Sequence, residues 1–78
     1  MKEIRIMYSV YGRPDCPNWE KVKNLLSGED VRYVDLTEDE DALRYIKSQD
    51  LTPTLQVFSN GHYIGGYEEL VEFLEERK

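Results

Sequence analysis

The chain is predicted to fold as one α/β domain, a mixed four-stranded sheet flanked by three helices in the order strand-helix-strand-helix-strand-strand-helix. Three observations carry this. Apolar residues recur alternately at strand and at helical spacing, and turn-forming residues punctuate each change of period. The third is size. A chain of 78 residues builds one small core, so residues 1–78 are read as a single domain.

Residues 4–10 alternate Ile4, Ile6, Tyr8 and Val10 with Arg5, Met7 and Ser9, the period of a first strand. Tyr11-Gly12-Arg13-Pro14-Asp15 carries glycine and proline and reads as a loop. A first helix opens at Pro17, a residue suited to the first helical position. It continues through Trp19, Val22, Leu25 and Leu26 and stops near Gly28. Residues 31–36 are rich in β-branched and aromatic side chains and form a second strand, which a right-handed crossover would set parallel to the first.

Thr37 and Glu40 have the spacing of a reciprocal capping box, so a second helix is expected from there to about Ser48, with Leu43 and Ile46 on its buried face. Residues 54–58 have strand propensity. Asn60-Gly61 is a two-residue hairpin signal leading into His62, Tyr63 and Ile64. Gly65-Gly66 ends that strand, and Tyr67, Leu70, Val71 and Leu74 mark a third helix. Its first turn carries Glu68 and Glu69 and its last Arg77 and Lys78, as the macrodipole favours.

Ten basic against sixteen acidic side chains give a net charge of −6, which argues against nucleic acid or an anionic membrane as partner. No apolar run is long enough for a membrane span, and the start Met1-Lys2-Glu3-Ile4-Arg5 lacks a signal-peptide core, so a cytoplasmic monomer is expected. The single cysteine, Cys16, excludes a disulfide within the chain. His62 is the one histidine, with no second ligand at metal spacing, so no protein-only metal site is expected. The acidic run 38–41 is explained by the helix start and is assigned no function.

Cys16 stands between a strand and a helix, where the positive end of the helix favours a thiolate and Arg13 adds a cation nearby. The competing reading is a small buried apolar residue. Gly65-Gly66 likewise reads either as a turn and helix cap or as bare N–H groups able to receive an anion. Tyr11 and Tyr67 are the tyrosines nearest this end of the chain's fold; the others read as packing.

Tyr11-Gly12-Arg13-Pro14-Asp15-Cys16-Pro17-Asn18-Trp19 resembles the active-site loop of glutaredoxins, in which Cys-Pro opens a Cys-Pro-X-Cys motif. Ile64-Gly65-Gly66-Tyr67-Glu68-Glu69-Leu70 resembles that family's glycine pair and last helix. Residues 52–61 are closer to the thioredoxin form of the cis-proline segment. The likeness covers essentially the whole chain and implies a thioredoxin-like fold of glutaredoxin type.

The resemblance further implies glutathione as co-substrate, with Cys16 as nucleophile. Pro17, Asn18 and Trp19 complete the motif, and Arg13, Thr52, Pro53, Gly65, Gly66 and Tyr67 contact the tripeptide. Gln56 is a weaker candidate contact. A cis Thr52–Pro53 bond would turn the Thr52 backbone toward the sulfur for strand-like pairing with substrate. The chain departs from the family at Trp19, which stands where the dithiol motif has its second cysteine. What remains is one-cysteine exchange with glutathionylated or disulfide-containing proteins. Two alternatives stay open: a glutathione-dependent [2Fe-2S] carrier shared by two chains, and a redox-inactive interaction module.

Overall fold

The computed structural model describes residues 6–76. Ile4 and Arg5 of the expected first strand, and Arg77 and Lys78 of the expected last helix, lie outside them. The elements run β1 (Met7–Gly12), α1 (Pro17–Leu25), β2 (Asp30–Asp35), α2 (Glu40–Ser48), β3 (Gln56–Ser59), β4 (His62–Gly65) and α3 (Tyr67–Glu76). This is the expected order.

The sheet order is β2-β1-β3-β4. β1 pairs parallel with β2, with Tyr8 opposite Val31 and Tyr11 opposite Val34, and antiparallel with β3, with Val10 opposite Val57. Being central, β1 runs two residues further than its alternation suggested. Tyr11 is held between Val34 and Gln56, and the Gly12 carbonyl accepts the Leu36 N–H at 2.8 Å. The expected loop therefore starts only at Arg13.

Strand alternation divides the core in two. One cluster gathers Tyr8, Val10, Trp19, Val22, Leu26, Leu55, Val57 and Leu70, so α1 and α3 cover the same face of the sheet. The other gathers Leu36, Ile46 and Phe58 under α2. Adjacent residues Val57 and Phe58 serve opposite faces, as a strand requires. Each fully buried aliphatic side chain, such as Val22, Leu26, Ile46 or Leu70, contributes roughly 1.5–3 kcal/mol.

The start of α2 differs from expectation. Thr37 does not cap; the Asp35 carboxylate takes both its N–H, at 2.8 Å, and its hydroxyl, holding it in a turn at the end of β2. Asp39 is the cap instead, its side chain accepting the Ala42 N–H at 3.0 Å. Two acceptors in one short loop competed for the helix start, and the nearer carboxylate captured the hydroxyl.

The β3–β4 hairpin turns on Asn60 and Gly61, with φ of 50° and 86°, the left-handed pair that this two-residue turn needs. β3 begins at Gln56, not at residue 54, because residues 52–54 fold into a tight turn with the Thr54 N–H donating to the Thr52 carbonyl at 2.7 Å. No cis peptide bond occurs among the described residues, so the Thr52–Pro53 bond is trans, contrary to expectation.

Candidate active site around Cys16

Cys16 is the N-cap residue of α1, in extended conformation, with Pro17 opening the helix behind it. A proline N1 needs no partner for the N–H it lacks, so the strand-to-helix corner is compatible with the backbone on both sides. The Cys16 N–H closes a turn onto the Arg13 carbonyl at 3.0 Å, and the Cys16 carbonyl accepts the Trp19 N–H at 3.0 Å. Its side chain makes no capping hydrogen bond. The thiol is free and half-buried, resting against the larger core cluster.

Trp19 turns inward. It is 8% exposed and belongs to the core, its ring 5.6 Å from that of Tyr33. Burial pushes the Tyr33 phenol above its ordinary value of 10.0. A Cβ on Gly12 would lie 3.0 Å from the indole Cε3 and 3.1 Å from a Leu55 methyl, so Gly12 is bare because the indole packs onto its backbone. Position 19 is thus a packing position in this chain.

The three sequence segments singled out above meet at Leu55. Its side chain lies beside Gly12, and its carbonyl would be 3.5 Å from a Cβ on Gly66. Gly65, paired with Val57 and at φ 136°, has Glu69 folded over it: an added Cβ would lie 2.6 Å from the Glu69 Cβ. The Gly66 N–H, read from the sequence either as part of a helix cap or as a receiver of an anion, donates to the Glu69 carboxylate at 2.8 Å. This is one half of a capping box, three residues apart. Tyr67 lies half-buried beside it, with the Lys21 ammonium 5.6 Å from its ring centre.

The Thr52–Gln56 segment does not present the strand-like edge that a cis bond was expected to give. The Thr52 carbonyl accepts both the Thr54 N–H and the Gln56 side-chain amide, the latter at 3.2 Å, so its acceptor is used within the chain. Gln56 is itself buried, and its carbonyl oxygen accepts the Tyr63 hydroxyl at 2.6 Å. It braces the 52–54 turn and is not turned outward as a ligand contact.

Beside this turn opens a cavity of about 390 Å³ lined by Arg13, Leu36, Thr37, Leu43, Lys47 and Pro53. Sequence reasoning named Arg13 and Pro53 but missed Lys47, which comes from the last turn of α2 and converges only through the fold. The cavity offers two cations over an apolar wall, the requirements of a small carboxylate-bearing ligand. Among the described residues, no three His, Cys, Asp or Glu side chains gather to hold a metal ion. No described helix is long and apolar enough to cross a membrane.

No family model matches the chain, and no curated protein matches it. Among solved structures, the chain is similar to reduced glutaredoxin of Escherichia coli, with a TM-score of 0.70 and 21% identity over 90% of this chain and 94% of that one. The architecture is a glutaredoxin-like thioredoxin fold.

Proposed function

We propose that the protein is a glutathione-dependent thiol-disulfide oxidoreductase that works through Cys16 alone. The observation that carries this reading is the placement of the Cys16 thiol: free, half-buried, unbonded at the helix cap, and one short turn from Arg13 and its cationic cavity. The glutaredoxin-like fold adds support.

In this mechanism the Cys16 thiolate attacks the glutathione sulfur of a protein–glutathione mixed disulfide. A Cys16–glutathione disulfide forms, and the protein leaves as a thiolate that takes up a proton. A second glutathione thiolate then attacks the glutathione sulfur on Cys16. The products are glutathione disulfide and free Cys16: the one added glutathione passes from thiol to disulfide as the protein sulfur passes from disulfide to thiol. With an indole at position 19, no thiol of the chain competes with the second glutathione. Arg13 and Lys47 receive a carboxylate of the tripeptide, Pro53 forms a wall, and Tyr67 and the Gly65-Gly66 turn border the far side.

Intact mass spectrometry after incubation with oxidised glutathione tests the reading. The wild type should gain one glutathionyl group, Cys16→Ser none, and the wild type should deglutathionylate a model substrate in proportion to added glutathione. The engaged Gly66 N–H and the trans Thr52–Pro53 bond favour one second reading, a redox-inactive interaction module. A wild type that forms no adduct although its thiol reacts with a small alkylating agent would establish that reading instead.

A further inference from the structure

A second cavity, of about 670 Å³, opens away from Cys16 between α3 and the β3–β4 hairpin. Its floor is apolar, with Ile6, Ile64 and Phe73 half-buried. Its rim is acidic: Glu69, Glu72 and Glu76 recur at spacings of three and four, which sets them on one face of α3 about a turn apart. Among the described residues no cation pairs with any of the three; Arg77 and Lys78, next in sequence, lie outside the described residues.

The same cavity borders a free sheet edge. β4 is the outermost strand, and no described strand pairs with its other side. The two-residue turn makes Ser59 and His62 the inward-bonded pair, which leaves the Tyr63 N–H and C=O directed at the open edge. The Tyr63 ring, 50% exposed, lies 5.3 Å from that of Phe58, on the α2 face of the sheet and so opposite the glutamates of α3.

From this juxtaposition we propose that the β4 edge and the glutamate face of α3 form a docking surface for an extended basic segment of a partner protein. The segment adds a fifth strand beside β4. Lysine or arginine side chains on one of its faces lay their stems over Ile64 and Phe73 and bring their charges to Glu69, Glu72 and Glu76. Alternate side chains contact the Tyr63 ring. The edge supplies backbone bonds, the floor apolar burial and the rim selection for positive charge.

A labelled ten-residue peptide of alternating lysine and valine is a suitable probe, followed by fluorescence anisotropy and by amide chemical shifts. Saturable binding with shifts on residues 62–65 and α3 is expected, unchanged in Cys16→Ser. A Glu72→Lys/Glu76→Lys variant should weaken binding at least about tenfold, and Glu29→Lys/Glu38→Lys, the same charge change elsewhere, less than about twofold. Against wild-type protein, N-methylation of alternate peptide residues should cost at least about tenfold as well, a comparison that stands even if a variant fails to fold. Equal losses in the two charge variants would reduce the effect to net charge and overturn the site. So would indifference to N-methylation, or no saturable binding.

Discussion

Glu69 reaches back one turn to accept the Gly66 N–H at 2.8 Å, so the first turn of α3 is closed by a carboxylate of the chain itself. Any anionic ligand drawn to that helix start must displace this carboxylate and face its charge.

Replacing Glu69 by Ala therefore separates two effects. Loss of the cap should cost about 1 kcal/mol, lowering Tm by roughly 4–8 °C. Release of the Gly66 N–H and removal of a negative charge should lower the KM for glutathione several-fold. Thermal melts and glutathione titrations of one variant measure both, and a rise in KM would show that Glu69 helps to hold the ligand.

Gly12 and Trp19 should be strongly coupled. Gly12→Ala drives a methyl group against the indole and should cost about 1–3 kcal/mol. Trp19→Cys leaves a cavity and should cost about 3–5 kcal/mol, a large part of a small domain's stability. In the double variant the methyl group enters the space that the indole vacated, so the sum of the single costs should not be reached. Urea denaturation of the four proteins completes the cycle; strict additivity would contradict the packing. Restoring a second cysteine at position 19 is thus a stability problem before it is a redox experiment.

Arg13→Gln and Lys47→Gln should each raise the KM for glutathione, together about tenfold or more, and the wild-type dependence on salt should weaken in the double variant. Steady-state kinetics at two ionic strengths would measure this. An unchanged KM would remove the cavity from the glutathione site.

The Tyr33 phenol is raised by burial, so the folded state resists its ionisation. Its stabilising contribution is whole below the unfolded phenol's value near 10 and is lost as pH rises through the higher folded value. Wild type should lose more stability than Tyr33→Phe between neutral pH and about pH 11. Since Tyr33 is 36% exposed, the difference should be small, and melts at the two pH values measure it.

Element order and the hairpin were legible because periodicity and Asn60-Gly61 are local signals. Cys16 at a helix start was legible for the same reason, from Pro17. Competition between neighbours was not. Asp35 and Thr37 satisfy each other, which moved the cap to Asp39, and Gln56 bonds Thr52, which turned the expected substrate edge inward. Lys47 was invisible because its partnership with Arg13 spans two elements that only the fold brings together. Trp19 stood in two readings at once, as part of the motif and as the first apolar position of α1, and the second describes where its side chain lies, in the core.

That inward indole belongs to the chain's single tryptophan, whose backbone N–H is bonded to the carbonyl of the residue that bears the single thiol. The molecule therefore carries its own optical gauge. Tryptophan fluorescence, excited apart from the tyrosines, reports from one position only and shifts to the red when the core opens. Unfolding can be followed in one cuvette, without a label, on the unmodified sequence.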